Sequence, residues 1–71
     1  MRTNMAEDIK RLIRIKQVVN LTGLSKSYVY QLAKERLFPK PVKLVEGGTA
    51  SAWVLSEVTE WINSKIQERN Q

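Results

Sequence analysis

Apolar residues recur at helical spacing in two short segments that are separated by Gly23. The first predicted helix covers about residues 16–22, and Gly23 can take the positive φ that ends it. Ser25 is a suitable N-cap for a second helix from Lys26 to about Arg36. The apolar positions are Val18, Val19 and Leu21 before the glycine, and Leu24, Val29, Leu32 and Ala33 after it. Two helices joined in this way form a helix-turn-helix, whose second helix can enter the major groove of DNA.

The second half of the chain changes its pattern at Phe38-Pro39-Lys40-Pro41, which cannot continue a helix. Two β-prone runs, residues 42–45 and 51–54, flank a glycine pair and predict a hairpin, called a wing when it follows a helix-turn-helix. Ser56 is the predicted N-cap of a last helix. Its buried stripe would comprise Val58, Trp61, Ile62 and Ile66.

These elements predict a mainly α fold with a small β-hairpin, a winged helix-turn-helix. We expect a flexible N-terminal arm over residues 1–9 and a single DNA-binding domain over residues 10–71. Before the first helix, Leu12, Ile13 and Ile15 either pair as a strand or pack under that helix. Trp53 and Trp61 are expected in the core, because a helix-turn-helix needs a third element to cover its apolar side.

Basic charge is concentrated where the two helices lie. The chain has 12 basic and 7 acidic residues, for a net charge of +5. Residues 10–43 hold nine of the basic side chains and one acid, Glu35, and so carry +8. The flanking residues 1–9 and 44–71 carry −1 and −2. This distribution favours a polyanionic partner over a solvated basic face without a partner.

The outward side of the second helix has the chemistry for reading DNA. Gln31 can bond adenine or a phosphate, and Ser27 can bond a base edge or a phosphate. Lys26 and Lys34 suit phosphates, and Lys26 can also reach a guanine. The Tyr30 hydroxyl can bond a phosphate while its ring packs on the protein. The predicted DNA-binding residues are Lys26, Ser27, Tyr28, Tyr30, Gln31, Lys34, Lys40, Lys43, Arg14 and Lys16.

Some of these positions have a second interpretation. For Tyr28 and Tyr30 the alternative is half-buried packing, which we expect for one of the two. Lys40 and Lys43 are either phosphate contacts or ordinary surface lysines. Arg14 and Lys16 lead into the first helix, where they would hold the DNA backbone.

Composition argues against other classes of protein. The chain has no cysteine and no histidine, so it has neither a disulfide framework nor a thiolate metal site. We see no phosphate loop and no nucleophile paired with a base, and therefore expect no enzyme, no cofactor, no metal and no small-molecule substrate. No apolar run has the roughly 20 residues that cross a bilayer, and the N-terminus lacks a signal-peptide core. We expect a cytoplasmic bacterial protein that does not bind membranes and joins the nucleoid when bound to DNA.

Three motifs together resemble the AlpA family of small phage and prophage regulators, which is akin to excisionases and to the MerR-type winged helix. They are RLIRIKQVVNLTGLSKSYVYQL, the FPKPVKL that follows, and W-x-x-SEV-x-x-WI from Trp53 to Ile62. The helix-turn-helix motif is shared with many regulators, whereas the other two are much more distinctive. The resemblance spans about residues 11–66.

The resemblance implies a sequence-specific DNA-binding regulator of genes on an integrated element, such as an integrase gene. Carried over position by position, the recognition residues are Lys26, Ser27, Tyr30 and Gln31. The family often has a small polar residue in place of Tyr28 and a basic one in place of Gln31. Its wing usually carries arginine where this chain has residues 49–52, TASA.

Three functions stay open from the sequence. The first is a transcriptional regulator that binds double-stranded DNA. The second is an excisionase-type architectural factor that bends DNA for a recombinase. The third is a protein-interaction module with an incidental basic face. A module this small buries only about 600–1,000 Å² of protein on DNA, so we expect dimers, tandem copies, or a recombinase or RNA polymerase as partner.

Overall fold

A computed structural model describes residues 11–69 of the chain; the predicted arm, residues 1–9, lies outside them. The element order is β1, α1, α2, β2, β3 and α3. Their bounds are Leu12–Ile13, Ile15–Thr22, Lys26–Lys34, Val42–Lys43, Ser51–Val54 and Leu55–Arg69. The fold is mainly α with a small three-stranded antiparallel sheet, the predicted winged helix-turn-helix.

Side-chain hydroxyls and one glycine fix the turn between α1 and α2. Gly23 has φ 79° and donates its N–H to the Val19 carbonyl, closing α1 as predicted. The Thr22 hydroxyl donates to the Val18 carbonyl at 2.8 Å and accepts from the Leu24 N–H at 3.1 Å. The predicted N-cap of α2 is confirmed, since the Ser25 hydroxyl accepts from the Tyr28 N–H at 3.1 Å.

The sheet joins the short strand that precedes α1 to the two strands that follow α2. Strand β3 lies in the centre, with β1 and β2 antiparallel on its two sides. Of the two alternatives for residues 12–15, strand pairing holds for Leu12 and Ile13, which lie opposite Val54 and Trp53. The wing is the hairpin of β2 and β3, and its turn is closed by a bond from the Gly48 N–H to the Val45 carbonyl.

The core lies between the helices and the inner face of the sheet. Trp53 is completely buried at its centre, which confirms the prediction. Phe38 and Trp61 pack edge to face, with ring centroids 4.8 Å apart. The buried side chains are Ile13, Val18, Val29, Ala33, Phe38, Ala52, Trp53 and Val58.

Three predicted element boundaries are wrong: the start of α3 and the ends of α2 and β2. The last helix begins at Leu55, because the Leu55 N–H still bonds the Arg11 carbonyl at the end of the sheet and the helix follows without a spacer. Ser56 therefore lies within the first turn and is not the N-cap. Helix α2 ends at Lys34, before Arg36, which has φ 65°. Strand β2 stops at Lys43, because residues 44–50 form the wing turn.

The apolar stripe of α3 is shorter than predicted. Val58 is buried, but Trp61 and Ile62 are only partly buried and Ile66 is exposed. The reason is geometric, since α1, α2 and the sheet are too small to cover all 15 residues of α3. The end of α3 therefore presents apolar side chains to solvent.

Candidate nucleic-acid interface

Helix α2 buries one side and leaves the other open. Val29 and Ala33 are buried, and Leu32 packs against the core. At about 100° per residue, Ser27, Gln31 and Lys34 fall within an arc of about 60° on the opposite side. All six polar residues assigned to this helix from the sequence are exposed: Lys26, Ser27, Tyr28, Tyr30, Gln31 and Lys34.

The two tyrosines have different surroundings. The Tyr30 ring packs against Trp53 with centroids 5.5 Å apart, so its orientation is tied to the centre of the sheet. Tyr28 lies about 160° around the helix from Tyr30, and 47% of its surface is exposed. Packing on the protein is therefore seen for Tyr30, and the two tyrosines flank the polar face, Tyr30 next to Lys34 and Tyr28 next to Gln31.

The basic side chains near this face are not neutralised by acids within the structure. Among residues 11–69 the ion pair found is Lys65–Glu68, on α3, with the charged atoms 3.4 Å apart. Glu35, the acid closest in sequence to the face, accepts a long hydrogen bond from the Gln31 amide at 3.4 Å. The basic side chains of this face therefore form no ion pair with the acids of residues 11–69.

The end of α2 carries a strained arginine. The Leu37 N–H bonds the Leu32 carbonyl at 2.8 Å and the Arg36 N–H bonds the Ala33 carbonyl at 3.1 Å. This pair of bonds is the Schellman motif, which places the residue after the C-cap in the left-handed region. That position is usually glycine, but here it is Arg36, at φ 65°.

Two indole groups hold the segment that follows α2. The Trp61 N–H donates to the Leu37 carbonyl at 2.7 Å, and the Trp53 N–H donates to the Pro39 carbonyl at 2.9 Å. These bonds attach the Phe38-Pro39-Lys40-Pro41 segment to α3 and to the sheet. They fix the backbone from which the exposed Lys40 projects and lead directly into β2, where Lys43 is also exposed.

The remaining predicted contacts lie at the start of α1. Arg14 is the N-cap residue of α1, and its N–H donates to the Gln17 side-chain oxygen at 3.1 Å. Lys16 lies in the first turn of the helix, and both basic side chains are exposed. The structure thus gives three basic groups of residues: the start of α1, the outward side of α2, and the segment from Lys40 to Lys43.

Sequence reasoning missed three features that shape this surface. Thr22 bridges the turn by two hydrogen bonds, and its position at the end of a predicted helix before glycine was the available signal. Arg36 was assigned to the helix, because nothing in its residue type indicates a positive φ. The bonds from the two indoles join residues 14 and 24 positions apart, a separation beyond any local pattern.

Other kinds of site receive no support from the described part of the chain. Within residues 11–69, His, Cys, Asp and Glu side chains form no group of three that could hold a metal ion. No helix in that range is long and apolar enough to cross a membrane.

Comparison with known proteins gives one family. The family model described as Prophage CP4-57 regulatory protein (AlpA) matches residues 11–66. A protein of Enterobacteria phage P4, named "Uncharacterized protein ORF88", is 40% identical over 62 residues, which cover 87% of this chain and 68% of the phage protein. No solved structure matches the chain significantly.

Proposed function

Because the chain belongs to the AlpA family of prophage regulatory proteins, we propose that it is a sequence-specific DNA-binding transcriptional regulator. It acts on genes of an integrated phage-like element, in the bacterial cytoplasm and on the nucleoid. Its ligand is double-stranded DNA, and its chemistry is recognition without catalysis.

The observation that carries the proposal is the open polar side of α2. Ser27, Gln31 and Lys34 point away from the core of the domain, and Lys34 forms no ion pair with any described residue. A charged surface kept free of intramolecular partners can exchange condensed counterions for contacts with phosphates. A side chain such as Gln31 adds a bidentate amide that matches the major-groove edge of adenine.

In the proposed complex, α2 lies in the major groove as a rigid body. Gln31 and Ser27 contact base edges, while Lys26 and Lys34 contact phosphates of the two strands. Arg14 and Lys16 at the start of α1, and Lys40 and Lys43 after α2, contact the flanking backbone. The Tyr30 ring stays on Trp53 and directs its hydroxyl to a phosphate.

Selection of bound sequences from a random DNA pool tests the proposal directly. We expect one enriched motif, and competition by that motif at least about 1,000-fold better than by scrambled DNA. Lys34→Ala should weaken this binding, and Lys65→Ala is its matched control, because Lys65 is a lysine of the same domain but pairs with Glu68 on α3. Equal competition by selected and scrambled DNA would contradict specific recognition and favour an incidental basic face.

The same motif distinguishes regulation from an architectural role. A recombination factor would bind several neighbouring sites and bend the DNA strongly, at a cost that depends on sequence. Circular-permutation gel shifts on the selected motif measure that bend. A straight complex supports the regulator, whose further partner is then RNA polymerase, and a large bend on tandem sites supports a recombinase as partner.

A further inference from the structure

Beyond Lys43, the wing of this protein is poor in the groups that bind DNA. Residues 44–54 contain no lysine or arginine and one acid, Glu46. The turn instead exposes apolar side chains, with 41% of Leu44 and 56% of Val45 open to solvent. An apolar, acidic tip is repelled by phosphates and is suited to a protein surface. We call Leu44, Val45 and Glu46 the wing tip.

A groove with the complementary character lies between α1 and α3. It has a volume of about 340 Å³. Its walls include Leu21 and Ile66, which are 49% and 44% exposed, and its rim carries Lys65 and Arg69. Lys65 is engaged by Glu68, whereas Arg69 forms no ion pair within residues 11–69. The groove is therefore an apolar depression beside a basic side chain.

The groove and the proposed DNA interface use different residues. None of the ten predicted DNA-binding residues lines the groove, and its walls come from α1, the turn and α3. Both surfaces can therefore be occupied at once. The wing tip of the same chain does not line the groove either.

We propose that the wing tip of one copy binds the α1–α3 groove of a second copy, with Leu44 and Val45 in the groove and Glu46 beside Arg69. The contact joins two different patches, so it is head to tail and leaves one wing and one groove free for further copies. It is smaller than a standard stable interface, so it is weak in solution and gains strength when both copies sit on one DNA. Its effect on DNA occupancy rests on the proposed function, but the contact itself does not.

Cross-linking without DNA tests the contact. The chain contains no cysteine, so a disulfide can form only between the cysteines that are introduced. We expect an equimolar mixture of Val45→Cys and Ile66→Cys proteins to give a disulfide-linked dimer under mild oxidation, and each protein alone to give much less. Gln67→Cys is the control for Ile66→Cys, since Gln67 is exposed on the same helix but does not line the groove.

Charge exchange tests the orientation. Glu46→Lys in the Val45→Cys protein, or Arg69→Glu in the Ile66→Cys protein, should each lower the yield several-fold, and mixing the two charge-reversed proteins should restore it. All of these positions are exposed, so circular dichroism is expected to show folded domains throughout.

The outcomes separate the alternatives. A mixed yield no higher than that with Gln67→Cys overturns the proposal. Efficient self-linking of Ile66→Cys indicates a symmetric groove-to-groove dimer and also overturns it. If DNA binding holds, Val45→Asp should reduce cooperativity on two adjacent sites by about tenfold and leave single-site affinity unchanged. Cross-linking without any specific DNA binding would instead refute the proposed function and leave the contact standing.

Discussion

Replacing Arg36 with glycine should give a more stable protein than replacing it with alanine. Arg36 lies at φ 65°, where the Cβ of an L-residue crowds the backbone at a cost of about 1–2 kcal/mol. Glycine removes that cost but gives the unfolded chain more freedom, which offsets about 0.5–1 kcal/mol. We therefore expect a net backbone gain of about 0.5–1 kcal/mol. For a domain of this size, that gain corresponds to a Tm about 2–8 °C higher for Arg36→Gly than for Arg36→Ala.

The charge of Arg36 complicates a simple comparison with the natural protein. A cation after the last turn of α2 favours the helix dipole by about 0.3–1 kcal/mol, which glycine forfeits. Arg36→Ala loses the same charge and keeps the crowded Cβ, so the difference between the glycine and alanine variants isolates the backbone contribution. Thermal unfolding followed by circular dichroism measures both.

Gly23 provides the reciprocal control. It has φ 79°, and an added Cβ would meet no atom within 4 Å, so Gly23→Ala tests the backbone alone. We expect Gly23→Ala to lose about 1 kcal/mol. If Arg36→Gly unfolds at or below the temperature of Arg36→Ala while Gly23→Ala behaves as expected, the Schellman end of α2 and the strain at Arg36 are refuted.

Four further predictions follow from named contacts. Thr22→Val should lower the free energy of unfolding, measured in urea, by about 1–3 kcal/mol, because it removes two hydrogen bonds of the turn. The control Thr59→Val removes one exposed hydrogen bond and should cost less. Equal losses in the two variants would exclude a special role for Thr22. Trp61→Ala should lower the free energy of unfolding by about 3 kcal/mol, because packing on Phe38 is lost. Trp61→Phe should lower it by about 1 kcal/mol, because the hydrogen bond to the Leu37 carbonyl is lost. A fully stable alanine variant would show that this ring is not part of the core. Lys34→Ala or Lys43→Ala should weaken binding to every DNA sequence and lower the salt slope by about one, and an unchanged slope in a salt titration would remove that lysine from the interface. Gln31→Ala or Ser27→Ala should relax base preference more than total affinity, and a repeat selection that returns the original motif would argue against base contact.

Local rules were enough for the parts of the fold that are local. The turn at Gly23 and the N-cap at Ser25 each depend on a backbone conformation or a hydrogen bond within four residues. Residue type specifies such features directly, because glycine permits positive φ and serine accepts from the first turn. The outward side of α2 followed in the same way, since the 3.6-residue period separates Val29 and Ala33 from Ser27 and Gln31.

The features that could not be predicted depend on packing between distant segments. Ser56 has the residue type of an N-cap, but α3 already begins at Leu55, whose N–H bonds the Arg11 carbonyl at the end of the sheet. Arg36 adopts a conformation typical of glycine in the Schellman end of α2, and the Trp61 indole bonds the carbonyl of the next residue, Leu37. In both places a tertiary bond accompanies a departure from a local preference of about 1 kcal/mol. The apolar stripe of α3 is also shorter than predicted. The period of its apolar residues shows which side of the helix faces inward, but not how far the rest of the domain extends along it.

The charge distribution links the two proposals. Within the described residues, the positive groups assigned to DNA lie between Arg14 and Lys43, and the rest of the wing, residues 44–54, adds none. A winged domain that keeps its wing off DNA has fewer phosphate contacts, and each absent contact lowers both affinity and salt dependence. One copy should therefore bind a single site weakly, and occupancy would need a neighbour. The apolar and acidic side chains that make the wing tip unsuited to phosphates are the ones that bind the adjacent copy and so recruit it to the DNA. Making the wing basic, for example by Val45→Arg, should then raise the affinity for a single DNA site and reduce cooperativity between sites. Gel shifts on one-site and two-site DNA fragments measure both effects. A variant that gains affinity without losing cooperativity would show that the wing does not bind the adjacent copy.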